Sequence, residues 1–166
     1  MIRTFEGSLL IELVSQHRPT FDRLTTADLL TLARELNSWV SVDCFAMDLS
    51  GPMWMHDRIS DQMLVTWSGS EDRWWRRAAL VSTVARSRRG DAGDSARVAR
   101  VCALLVEDRD DMVVKALSWA LRELAKKHPG PVKAFLAEHK DLLAARVTRE
   151  VNNKLSTGLK TPRGAR

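Results

Sequence analysis

The sequence predicts an all-α chain. Apolar residues recur at helical spacing over most of its length, strictly alternating apolar and polar runs are scarce, and Pro, Gly, Ser and Asp interrupt the pattern at short intervals. With 166 residues, 45% of them hydrophobic, the chain can bury one core, so a single compact unit or one repeat array is expected.

The elements follow in order. Residues 6–16 read as an apolar helix stopped near Arg18-Pro19, because a proline disfavours helical geometry in the residue before it. Thr26 suits the cap of a second helix, "ADLLTLARELN". A third, "WVSVDCFAMDL", is expected to end at the breaker Ser50-Gly51-Pro52, and a fourth to run from about Met53 to Trp67. Ser70 and Asp72 suit the cap of a fifth, from about Arg73 to Arg86, followed by the loop "SRRGDAGD" and a sixth, "SARVARVCALLVED". Asp110 opens a seventh, "DMVVKALSWALRELAKK", which halts at His128-Pro129-Gly130. Pro131 begins an eighth, "PVKAFLAEH", and a ninth spans about Leu142 to Leu155. Residues 156–166 lack apolar periodicity and read as a basic, disordered tail after one domain over 1–155.

Three segments repeat a pattern of a basic residue among small or apolar ones: "WWRRAALVS" at 74–82, "MVVKALSWA" at 112–120 and "RVTREVNNK" at 146–154. Arg77 to Lys115 is 38 residues and Lys115 to Arg149 is 34, periods that suit a two-helix unit needing neighbours to cover its apolar face. The expected architecture is therefore a HEAT-like α-solenoid of stacked antiparallel helix pairs. In such an array Arg77, Lys115 and Arg149 either offer spaced cations to duplex phosphates or form ordinary solvated, ion-paired helix faces.

Charge points the same way. Lys and Arg outnumber Asp and Glu by 26 to 21, and eight arginines lie between Arg73 and Arg100 against Asp91 and Asp94. That excess favours an anionic partner. Cys44 and Cys102 stand apart without a metal-ligand spacing, and the four histidines form no ligand motif, so neither a metal nor a cofactor is expected. Nothing resembles a cleavable leader or a membrane span, and a cytoplasmic monomer is expected.

The chemistry-bearing positions are few. Trp39 and Asp43 are four apart and share a helix face, as core packing beside a cap or as an indole and carboxylate presented to a ligand. Lys115, Trp119 and Arg122 also share a face, and a stripe of that composition suits a ligand-facing surface better than a core. Trp74 and Trp75 read as inter-helix packing. There is no serine elbow, phosphate loop or nucleotide fingerprint, which leaves Asp43 as the candidate reactive group.

The blocks "SWVSVD", "SEDRWWRRAALVS" and "VVKALSWALRELAKKHPGPVKAFLAEH", in that order over about residues 37–139, resemble the AlkD-type DNA alkylation repair proteins, HEAT-like glycosylases that remove alkylated purines. The resemblance implies hydrolysis of the N-glycosidic bond of cationic N3- or N7-alkylated purines in duplex DNA. Asp43 would be catalytic, Trp39 and Trp119 would contact the lesion, and Arg77, Lys115, Arg122 and Arg149 would bind DNA. Members of the family usually carry further helices before the segment matching "MIRTFEGSLLIEL", so part of the concave surface is expected to be missing. That departure keeps open a second reading, a non-catalytic HEAT-like module that binds DNA structure or a protein partner.

Overall fold

The computed structural model describes residues 2–89 and 95–162, and every regular element among them is helical. The chain begins with α1 (Ile2–Gln16), α2 (Arg18–Arg23) and α3 (Thr26–Leu32). Pro19 does not only end the first helix: it sits in the first turn of α2, where its fixed φ suits a helix start and its missing N–H costs nothing. The cap of α3 is Thr25, one residue earlier than expected. Its hydroxyl accepts from the Asp28 N–H at 3.2 Å while Asp28 accepts from the Thr25 N–H at 2.9 Å, and this reciprocal capping box fixes the boundary. Arg58 ties these helices to the rest by donating to the carbonyls of Phe21 (3.0 Å), Asp22 (3.3 Å) and Leu24 (2.6 Å) at the end of α2.

The expected break at Ser50-Gly51-Pro52 is absent. Helix α4 (Trp39–Phe45) passes through a π-helical turn, Ala46–Ser50, into α5 (Gly51–Met55) without leaving helical geometry. Pro52 cannot donate to the ladder, and the widened turn just before it accommodates that loss. Gly51 is required by proximity: a Cβ there would lie 2.5 Å from Cβ of Ala85 and 2.6 Å from the carbonyl oxygen of Ala46. The real break falls later, at residues 56–60, where Asp57 adopts a left-handed φ of 54°, and the fourth predicted helix is thereby divided.

Helix α6 is Asp61–Ser68, and α7, Arg73–Arg89, runs three residues beyond its predicted end into the expected loop. The rest of that loop, 90–94, lies outside the described residues. Helix α8 (Ser95–Ala103) stops before the expected "LLVED" extension, which forms turns. Asp110 caps α9 (Asp111–Leu124) by accepting from the Met112 N–H at 2.8 Å. Helix α10 (Pro129–Glu138) starts two residues before the expected Pro131 because Pro129 itself occupies the first turn, and α11 (Ala145–Thr157) begins after Leu142 and Leu143.

Helix α7 packs against α4, the π turn and α5 on one side and α9 on the other, and α9 packs in turn against α11. Contacts advance together along each pair. Asp43, Ser50 and the Trp54 carbonyl meet Arg77, Ser82 and Arg86; Arg77 and Arg88 meet Met112 and Glu123; Asp111 and Ser118 meet Arg146 and Glu150. These ties span between 32 and 35 residues, so the four helical segments run in the same direction. Between them α6 and α8 pack together, joined by Arg97 to Asp61 across 36 residues. Helix α9 buries Val113, Ala116, Leu117, Ala120, Leu121 and Leu124 on this core, each leucine contributing about 2 kcal/mol.

Candidate functional site

The stretch "DRWWRR" at 72–77 joins three neighbours at once. Asp72 caps α7 by accepting from the Trp74 N–H at 2.9 Å. Arg73 pairs with Asp110 at 3.2 Å, and Arg76 with Asp108 at 2.7 Å while also donating to the carbonyls of Ser70 and Glu71. Trp75 packs on Trp67 with centroids 5.0 Å apart and meets Phe45 edge-on at 6.4 Å, an aromatic seam between α4, α6 and α7. The packing expected of Trp75 is what the fold uses it for.

Of the two alternatives for Arg77, the structure shows the ion-paired one, with the side chain buried rather than solvated. Its side chain is 7% exposed, its Nε and Nη2 donate to the two oxygens of Asp43 at 2.8 Å each, and its Nη1 donates to the Met112 carbonyl at 2.6 Å. All three nitrogens are engaged. The residue opposite Arg77 on α9 is thus Met112, three positions before Lys115, so Arg77, Lys115 and Arg149 do not stand in one register. Lys115 is exposed and pairs with Asp111 at 2.6 Å, and Asp111 also accepts from Arg146 at 2.7 Å. Arg149 is exposed, and no hydrogen bond or ion pair ties it to another described residue.

Asp43 retains 19% exposure, and Trp39, one turn earlier on the same face of α4, is 55% exposed. Ser38 holds the start of this helix by accepting from the Ser41 N–H at 3.3 Å. Burial lifts the Asp43 carboxyl above its ordinary range, against the hydrogen bonds and charge of Arg77 that pull it down. Its neighbour Cys44 is raised too, by burial and then by the charges of Asp48, Asp43 and Glu12, whereas Cys102 is fully buried and pushed up to about 12. Neither thiol is activated.

Trp119 lies on α9, two turns past the Met112 contact, about 10 Å along the axis at 1.5 Å per residue. The Arg88 guanidinium sits 5.3 Å from its ring centroid and pairs with Glu123 at 3.2 Å; Glu123 also accepts from Lys126 at 2.8 Å. Burial raises the Glu123 carboxyl, but these donors outweigh it and hold it below its usual range. Arg122 is 16% exposed, with Nε donating to Ser118 Oγ at 3.3 Å and lying 3.8 Å from Glu150; burial depresses its pKa against the charges of Glu150 and Glu123. No hydrogen bond to another described residue uses its Nη1 or Nη2.

Arg88, Ser118, Glu123 and Glu150 were not singled out from the sequence. Their signal was present as donors and acceptors about one repeat apart, 35 residues for Arg88 and Glu123 and 32 for Ser118 and Glu150.

The model of the DNA alkylation repair enzyme family matches residues 7–155. The chain belongs to this family. No curated protein matches it. The family match takes in α4, α7, α9 and α11, and with them Trp39, Asp43, Arg77, Lys115, Trp119, Arg122 and Arg149. Membership of the DNA alkylation repair enzyme family associates the chain with alkylation repair and with binding DNA. No helix among the described residues is long and apolar enough to cross a membrane.

Proposed function

We propose that this chain is a DNA glycosylase that hydrolyses the N-glycosidic bond of cationic N3- or N7-alkylated purines in duplex DNA, on a HEAT-like solenoid formed by residues 1–155. Repeated same-direction packing of α4, α7, α9 and α11 at a nearly constant sequence offset supports the solenoid. The observation that carries the chemistry is a part-exposed carboxylate, Asp43, held at both oxygens by Arg77 on the face that presents Trp39.

An alkylated purine cation leaves without prior protonation. As its C1′–N bond breaks, the electron pair departs with the base, which becomes neutral, and positive charge develops on the sugar. A fixed anion beside that sugar lowers the barrier electrostatically. Water then adds at C1′ and releases a proton. Arg77 takes two of the roughly four lone-pair sites of Asp43, sets the carboxylate plane and leaves the solvent-side sites for the sugar and the water. In this reading Arg77 is a positioning residue more than a phosphate contact. Trp39 and Trp119 attract the cationic nucleotide through their ring faces, for about 0.5–2 kcal/mol each. Arg122, whose terminal nitrogens make no hydrogen bond to another described residue, binds backbone phosphate, and Lys115 and Arg149 add salt-dependent affinity.

Release of 7-methylguanine and 3-methyladenine from methylated duplex tests this, with Asp43→Asn as the comparison. The variant is expected to lose excision by about a hundredfold or more while still binding duplex. One observation favours a second reading, a non-catalytic DNA-binding module: both oxygens of Asp43 are engaged, as in a purely structural ion pair. Excision by neither protein would select it, whereas equal excision by both would remove Asp43 from the chemistry.

A further inference from the structure

The chain after α11 turns back. Gly158 takes a φ of 74°, the left-handed conformation that ends a helix, and its N–H donates to the Lys154 carbonyl at 3.0 Å. Lys154 Nζ donates to the Gly158 carbonyl at 2.5 Å, and the Leu159 N–H to Thr157 Oγ1 at 3.2 Å. The reversed segment is then fastened along the helix. Asn153 Nδ2 donates to the Lys160 carbonyl at 3.1 Å, and Lys160 Nζ lies 3.5 Å from Glu150 Oε1. The tail expected from residue 156 onward is therefore anchored as far as Lys160, whereas Arg163 and Arg166 lie outside the described residues.

This turn carries Lys160 to the carboxylate that Arg122 also faces. Glu150 is buried; one of its oxygens accepts from Ser118 Oγ at 2.6 Å and lies 3.8 Å from Arg122 Nε, and the other faces Lys160. Two cations around one carboxylate leave an excess of positive charge. The one hydrogen bond of Arg122 to this frame uses Nε, and Lys160, half exposed, has three N–H donors and Glu150, 3.5 Å away, as its ion-pair partner among the described residues.

We propose that Arg122 and Lys160 form a two-cation clamp for one phosphodiester of duplex DNA, with Glu150 and Ser118 as its frame and the Gly158 turn delivering the second cation. The inference rests on the DNA reading above. The guanidinium offers a planar fork for two phosphate oxygens and the ammonium a point charge beside it. Contacts of this kind position the duplex and carry no base information, so the clamp acts alike on methylated and unmodified DNA.

Duplex binding by fluorescence anisotropy across a salt series tests the clamp. Lys160→Ala is expected to weaken binding about fivefold at low salt and to reduce the salt slope by about 0.9, the share of one phosphate contact. Lys160→Arg should restore both, and the thermal midpoint should not move. Arg122→Gln should produce a similar loss. An unchanged slope in Lys160→Ala beside a reduced one in Arg122→Gln would overturn the clamp and leave the DNA reading standing. A loss that Lys160→Arg does not restore would make the segment structural and overturn it as well. Displacement of duplex by inorganic phosphate at matched ionic strength would assign the pair to free phosphate instead. If the unmodified protein shows no salt-dependent binding, clamp and DNA reading fall together.

Discussion

Arg77 donates to both oxygens of Asp43, at 2.8 Å each, across 34 residues of sequence. A planar guanidinium and a planar carboxylate in this arrangement fix each other's orientation, and the third Arg77 nitrogen locks the pair to the Met112 carbonyl on α9. The candidate catalytic group is thus held by two neighbouring helices of the array.

Replacing Arg77 by Gln leaves Asp43 part-buried and without its partner, and is expected to cost about 2–3 kcal/mol in thermal unfolding. It also removes the two influences that pull the Asp43 pKa down, leaving burial to raise it further. If excision needs the ionised carboxylate, the acid limb of its pH profile lies above the ordinary aspartate value, near 3.9, and moves higher still in Arg77→Gln. An acid limb that stays in place would show that Asp43 ionisation does not control the reaction.

Gly51→Ala is expected to destabilise the fold by about 3 kcal/mol, since the added methyl meets Ala85 Cβ at 2.5 Å and the backbone oxygen of Ala46 at 2.6 Å. The second neighbour cannot swing away. Ala85→Gly in the same chain should recover only part of the loss. Unfolding in urea measures both, and a Gly51→Ala protein as stable as the parent would contradict the close approach of the α5 backbone to α7.

Asp61 accepts from Arg97 Nε at 3.0 Å and from Trp54 Nε1 at 2.7 Å. The Arg97 hydrogen bonds, with help from Trp54 and the charges of Arg97 and Arg100, hold its carboxyl below the usual range against burial. A depressed folded pKa makes the stabilisation complete above the unfolded value, near 3.9, and progressively lost as pH falls through the folded one. Asp61→Asn should therefore lower the thermal midpoint at neutral pH, with the gap to the parent narrowing as the pH falls below about 4. A gap independent of pH would remove the ion pair as its source.

The amphipathic pattern of α9, the Asp110 cap and the Trp39–Asp43 spacing were readable because each depends on residues within a few positions of one another. A repeat of about 34–38 residues was readable as well, but the helix-to-helix ties run at 32–35 residues, and the 38-residue step from Arg77 to Lys115 is not among them. The helix through Gly51-Pro52 was not readable, because local propensity favours a break there. Only the packing of α5 against α7, with Gly51 close to Ala85, makes continuity through a π turn the better solution. Arg77 shows the same division. Its side chain can serve a phosphate or a carboxylate equally well. Its burial against Asp43 was decided by the stacking of α7 between α4 and α9, which excludes water from the guanidinium and puts a carboxylate and a carbonyl within reach of all three nitrogens.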